Sequence, residues 1–231
     1  MLSRLLTSKG NDFIVLKGPY VATRFLGSID RRQFYDLDIL IRREDLQAVE
    51  QLLCDCGYKR KSTVLFSRTL TTHFTHALDF AKSNVALDLH WLLSANAAHS
   101  LDYNSIWRER QAFALQKHTF YVLSEEYEVV FSLISIFKDL ERGVARLKAF
   151  VDLYFILASV SHALTGSSFS RIASAREFWK YRSTCCLYSS LCSSALIDFP
   201  TWRQWSIGIA TCLKGFLRKT LNASLAHLRA L

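Results

Sequence analysis

Between Phe13 and Leu123 the chain lays down six short apolar runs rich in β-branched and aromatic residues, and after Ser124 such runs fade. They are Phe13-Ile14-Val15-Leu16, Tyr35 to Ile41, Ala77 to Phe80, Val85 to Leu89, Ala112 to Leu115 and Phe120 to Leu123. Runs of this length read as strands, and the amphipathic stretches between them give the rhythm of an α/β domain. Arg43 to Cys56 carries apolar residues at Leu46, Val49, Leu52 and Leu53 and stops at Gly57, which predicts a helix with a glycine end signal. Lys82-Ser83-Asn84 predicts a turn that joins the third and fourth runs in a hairpin. Ser124 followed by Glu125 and Glu126 predicts a helix start, with carboxylates at the positive end of the helix dipole. Helices over Val129 to Leu140 and Ala145 to Val160, broken near Gly143, continue from there. A Ser/Gly-rich break at Thr165 to Ser168 precedes two or three more helices, interrupted at Asp198-Phe199-Pro200. The expected organisation is α+β: a sheet-containing domain over 1–123 and a helical domain over 124–231.

Composition narrows the class. Half of the 231 residues are hydrophobic and 13% are aromatic, which excludes an acidic, solvating, disordered chain. The formal charge of +9 favours an anionic partner without choosing among nucleotide, nucleic acid, membrane surface and phosphorylated substrate. The longest apolar stretches, Val129 to Phe137 and Phe150 to Val160, fall short of the ~20 residues a spanning helix needs, so no membrane insertion is expected. Met1 to Leu6 meets Lys9 and Asp12 too soon to form a signal peptide, and the expected compartment is the cytoplasm. Cys54, Cys56, Cys185, Cys186, Cys192 and Cys212 form no paired ligand set; they are expected to be reduced and mostly buried.

The chemistry is concentrated in two of the runs. In Tyr35-Asp36-Leu37-Asp38-Ile39-Leu40-Ile41, strand alternation sends Asp36 and Asp38 to one face and Leu37, Ile39 and Ile41 to the other. Two like charges side by side are costly unless a cation lies between them, and hard oxygen ligands suit Mg²⁺ or Mn²⁺. The plainer reading of Asp-x-Asp is a solvated strand end. In Val85-Ala86-Leu87-Asp88-Leu89-His90-Trp91 a lone carboxylate, Asp88, interrupts an apolar run, and a third acid on a neighbouring strand would complete a two-metal site. His90 should share the face of Asp88, where a supporting role is plausible, and Trp91 reads as a core anchor. Upstream, Gly18 ends a buried strand and Pro19 suits the first position of a helix. A glycine there lets a phosphate approach the backbone, the free amides of the following helix would bind it, and Lys17 would add a point charge. A nucleoside triphosphate would then lie between this turn and the metals. No nucleophile elbow, Walker loop, zinc-finger spacing or dinucleotide fingerprint is present.

Leu16-Lys17-Gly18, Arg32 four residues before Asp36-Leu37-Asp38-Ile39-Leu40, His73, and Asp88-Leu89-His90-Trp91 together resemble the nucleotidyltransferase-like proteins of the DNA polymerase β superfamily, most of all the branch of uncharacterised nucleotidyltransferases. Phe150-Val151-Asp152-Leu153 is a weaker match, and the resemblance spans roughly residues 12 to 160. It implies a polymerase β-like domain with a mixed sheet, followed by the helical domain. It implies metal-dependent transfer of a nucleoside monophosphate from an NTP to a hydroxyl of an unidentified acceptor, with release of pyrophosphate. Asp36, Asp38 and Asp88 would be the catalytic and metal-binding residues. Lys17, Gly18, Arg32 and His73 would bind the nucleotide, with Arg32 neutralising charge that builds during transfer.

Two other classes compete: a non-catalytic binding module on the same fold, and a basic RNA-binding protein whose acids are structural. The charge distribution bears on partners. Residues 170–231 hold nine basic and two acidic side chains, so most of the excess lies in the terminal helices. There Arg171, Arg176, Lys180, Arg182, Arg203, Lys214, Arg218 and Lys219 form either a surface for an anionic partner or acceptor, or a solvated helical face.

Overall fold

A computed structural model describes Leu6 and residues 12–61, 75–95, 101–144 and 146–160. His73 and everything expected after Val160, including the basic terminal helices, lie outside the described residues. Packing divides the chain into two compact units, Met1–Phe131 and Ser132–Leu231.

The first unit is built on a seven-stranded mixed sheet. Its strands are β1 (Phe13–Val15), β2 (Asp36–Ile41), β3 (Lys59–Arg60), β4 (Ala77–Lys82), β5 (Val85–His90), β6 (Gln111–Leu115) and β7 (His118–Val122), in the spatial order β3-β4-β5-β2-β1-β7-β6. All six expected runs are strands. The two-residue β3 is an addition: it pairs antiparallel with β4 at the sheet edge and is too short and charged to show as a hydrophobic run. β2 lies at the centre, antiparallel to β1 and parallel to β5.

Burial along β2 rises steeply. Asp36 is exposed and Leu37 half-buried, Asp38 is 8% exposed, and Ile39, Leu40 and Ile41 are wholly buried. Alternation puts Leu40 on the face of Asp36 and Asp38, so that face passes from solvent into core within three pleats. β5 behaves in the same way, with Leu87 and Leu89 wholly buried on one face and Ala86, Asp88 and His90 on the other.

The connections follow local chemistry. α1 (Pro19–Leu26) has Pro19 at its first position and buries Tyr20, Val21, Ala22, Phe25 and Leu26. Its end is pinned by Arg24, which donates to Glu125 Oε1 at 2.7 Å and to Gln111 Oε1 at 2.9 Å. The expected helix over Arg43 to Cys56 starts later: Arg43–Asp45 form a 3₁₀ turn, and α2 covers Leu46–Asp55. Its end is closed by bonds from the Gly57 amide to Cys54 O and the Tyr58 amide to Leu53 O, the paired pattern that a residue of positive φ permits; Gly57 has φ 83°. Cys54, next to the core-facing Leu53, is exposed and Cys56 half-buried; both are free thiols, so burial does not extend to this pair. The β4–β5 hairpin closes through Ser83-Asn84 alone, because Lys82 pairs with Val85 and belongs to β4. Ser83 has φ 51°, and Gln116 has φ 55° at the same place in the β6–β7 hairpin. α3 (Tyr103–Arg108) is capped by the Asp102 carboxylate, which accepts from the Asn104 amide. α4 (Glu125–Glu141) starts where Ser124 announced it, and α5 (Leu147–Val160) follows the break at Gly143.

Leu89 is wholly buried in a central strand, whereas Tyr35 is 83% exposed just before β2. Leu89→Ala is expected to lower the free energy of unfolding by about 2–5 kcal/mol. Tyr35→Ala should stay within roughly 0.5 kcal/mol of the native chain. Urea titrations of both variants check this.

Candidate active site

The parallel pairing of β2 with β5 sets the site. Asp38 stands opposite Asp88 and Leu40 opposite His90, so Asp38, Asp88 and His90 rise from one face. Their donor atoms all lie within 4.8 Å of one another, and among the described residues this is the group of acids, cysteines and histidines that could hold a metal ion. His90 Nε2 lies 3.0 Å from Asp38 Oδ1, diagonally across the pair. His90 is 7% exposed, and its Nδ1 is buried with no hydrogen-bond partner.

Burial works against ionisation of Asp38, but the His90 hydrogen bond and the charges of Lys17, His90 and Arg32 outweigh it and hold the carboxyl below its usual range. Asp88 goes the other way. Burial first, then the negative charges of Asp38, Asp79 and Asp36 against a smaller opposing effect of His90, push it up to about 6. Like charges crowded into a partly dry site are what a divalent cation relieves, and carboxylate oxygens are the donors such cations take. The residues therefore fit a divalent metal.

Lys17, two residues beyond β1, is half-buried with its Nζ 4.6 Å from the centre of the Phe131 ring. Gly18 follows with φ 76° and ψ −131°, a conformation essentially restricted to glycine, and leads directly into α1. The structure thus brings together Asp38 and Asp88, with Lys17 and Arg32 in electrostatic reach of Asp38. Asp36 is on the same face but opposite Ala86, one pleat towards solvent, and outside the group of three.

Sequence reasoning missed two acids. Asp79 stands opposite Asp88 on β4, which makes a row of three carboxylates, Asp38, Asp88 and Asp79, across β2, β5 and β4. The hairpin register would have found it, since a two-residue loop at Ser83-Asn84 pairs 79 with 88. Glu128 on α4 is the second. It is 1% exposed and accepts a 3.3 Å hydrogen bond from the Tyr20 hydroxyl on α1. Burial pushes it up to about 8, although the Tyr20 bond and the charges of Lys17, Arg24 and Arg32 all pull down. Burial, with Glu128 second, also raises the Tyr20 phenol well above its ordinary value. No local pattern reveals a contact between residues 108 apart.

The fold is similar to that of solved structures. The solution structure of the antibiotic-resistance factor ANT(2″)-Ia is similar with a TM-score of 0.51 at 10% identity, over 82% of this chain and 92% of that one. The crystal structure of ANT(2″)-Ia with adenylyl-2″-tobramycin gives 0.51 at 11% identity, over 78% and 94%. A lincosamide antibiotic adenylyltransferase, LnuA, bound to lincomycin, gives 0.40 at 16% identity, over 56% and 80%. The fold is therefore that of nucleotidyltransferases. Within that class the chain belongs to the uncharacterised nucleotidyltransferase family, whose pattern matches residues 1–192, and it is a nucleotidyltransferase enzyme. No match was found among curated proteins. Among the described residues no helix is long and apolar enough to cross a membrane.

Glu128 generates a pH prediction. Its carboxyl titrates near 8 in the fold, against an ordinary 4.5, so between those values the unfolded chain ionises it while the native chain keeps the proton. Its contribution to stability is complete below about 4.5 and is lost as pH rises through 8, by up to roughly 1.4 kcal/mol per pH unit. Glu128→Gln keeps an acceptor for Tyr20 and removes the titration. Its stability relative to the native chain should therefore rise from pH 5 to pH 8.5, by a few kcal/mol at most. Urea unfolding across that range checks this; parallel curves would contradict it.

Proposed function

We propose that this enzyme transfers a nucleoside monophosphate from an NTP to a hydroxyl of an acceptor, with Mg²⁺ or Mn²⁺ and release of pyrophosphate. The observation that carries the reading is the register of β2 and β5, which sets Asp38 opposite Asp88 with His90 against them. The neighbour seen with adenylyl-2″-tobramycin supports the reaction class.

Asp38 and Asp88 would hold the cation, with Asp36 next along the same face; Gly18 and the amides of α1, with Lys17, Arg32 and His73, would bind the nucleotide. When bound, the divalent cation supplies neutralising charge to the phosphates and makes the acceptor hydroxyl more acidic. The rest falls to the chain. In a helix that starts at Pro19 the Tyr20 and Val21 amides have no carbonyl partner within the helix, and they face the turn where a phosphate would rest. Lys17 and Arg32 offset the negative charge that accumulates as the acceptor oxygen bonds to the α-phosphorus and the bond to the pyrophosphate oxygen breaks. The hydroxyl proton goes to a carboxylate, and Asp88, beside the cation that makes that hydroxyl more acidic, is the group this reading assigns to take it. There is no covalent enzyme intermediate in this scheme; positioning and charge provide the acceleration.

The reading keeps a catalytic domain over 1–123, a helical domain over 124–231, and a role for the basic side chains beyond 170 on the acceptor or partner side. The test incubates the protein with Mg²⁺ or Mn²⁺ and each α-labelled NTP in a lysate of its source cell. A labelled product and stoichiometric pyrophosphate are expected, and the labelled fraction names the acceptor class. Asp88→Asn should lower the rate by roughly 10²–10⁴-fold, the range for losing a positioned proton acceptor. If calorimetry found no metal-dependent heat with any NTP, and Asp36→Asn changed nothing, the proposed NMP transfer would fail.

A further inference from the structure

We propose that His90 is a positioning residue: its Nε2–H holds one oxygen of Asp38, so that the other is presented to the cation, and His90 itself stays outside the coordination sphere. The inference rests on the metal reading above and assigns the third member of the cluster a role distinct from that of the two aspartates.

The geometry distinguishes a clamp from a ligand. An ionised carboxylate only accepts, so the 3.0 Å contact between Nε2 and Asp38 Oδ1 requires the proton on Nε2. His90 Nδ1 is buried with no partner, and in this tautomer it is an acceptor that receives no hydrogen bond. Were Nε2 to bind the metal, the proton would move to Nδ1 and leave a buried N–H donor with no acceptor, at the full desolvation cost of that group. The ring is also held in place. His90 pairs with Leu40 and Ala77 in the sheet, the next two amides, Trp91 and Leu92, both donate to His76 O, and the His76 ring lies 5.6 Å from the His90 ring. Asp38 and His90 are 8% and 7% exposed, so water does not compete well for their bond. A fixed donor on one oxygen restricts the Asp38 carboxylate to one orientation, as outer partners do for metal-binding side chains generally.

Mn²⁺ alone is the probe, with the full chain. Binding is titrated by the loss of the free-ion EPR signal, and pulsed EPR reads whether an imidazole ¹⁴N couples directly to the bound ion. The native chain is expected to bind Mn²⁺ without ¹⁴N coupling from a ligating imidazole. His90→Ala should weaken binding by about 10–100-fold, the range for loss of an outer partner. His90→Gln, whose amide N–H can reach the same oxygen, should restore most of that loss, which a purely structural role for the ring would not allow. Direct ¹⁴N coupling in the native chain, or native affinity in His90→Ala, would overturn the positioning role and leave the metal reading standing. No Mn²⁺ binding by the native chain would overturn both. If His90→Ala does not fold, as circular dichroism would show, the native spectrum and His90→Gln decide the question.

Discussion

The parallel pairing of β2 with β5 is the constraint on which the rest of this structure depends. Hydrogen bonds between the two strands fix Asp38 opposite Asp88 wherever the apolar faces bury Ile39, Ile41, Leu87 and Leu89. A one-residue slip would move every one of those side chains to the wrong face, so the packing that stabilises the sheet also aligns the carboxylates. Folding and site assembly are thus the same event here. The cost is electrostatic: partial burial first, then the neighbouring charges of Asp38, Asp79 and Asp36, push Asp88 up to about 6.

The molecule uses burial on its acids in two ways. Asp38 is deeply buried yet held ionised by His90, Lys17 and Arg32. Glu128 is buried more completely, receives one phenolic hydrogen bond, and favours its protonated form despite three cations in reach. At Glu128 burial outweighs the Tyr20 bond and the three cations, whereas at Asp38 the His90 bond and the charges of Lys17, His90 and Arg32 outweigh burial. A charged site and a neutral one therefore coexist around the same helix, α1, which starts at the Gly18 turn and carries Tyr20.

Much of this was legible in the chain. Six strands, the α2 and α4 helices and the Gly18-Pro19 helix start follow from short-range signals: alternation, capping residues and a glycine followed by a proline. Asp38 and Asp88 were legible because a carboxylate within an apolar strand has few structural explanations. What escaped depends on pairing between distant segments. β3 exists only because Lys59 and Arg60 find the edge of β4. The Asp38–His90 bond joins residues 52 apart, and the burial of Glu128 follows from how α1 packs on α4. Alternation placed Asp36 and Asp38 together, but it carries no information on how quickly the face passes from solvent to core. That gradient separates Asp36 from the other two.

The Ser83-Asn84 loop has a consequence for how this chain can vary. Its two residues join strands that carry Asp79 and Asp88 opposite one another, and Ser83 already adopts a left-handed conformation. Most surface loops tolerate insertion, but a third residue here would shift Asp79 along the ladder or force a bulge beside Asp88. The identity of the loop residues is free within wide limits, whereas their number is not. In descendants of this sequence, loop length should therefore be kept more strictly than loop composition, although its two residues stand four positions from either acid.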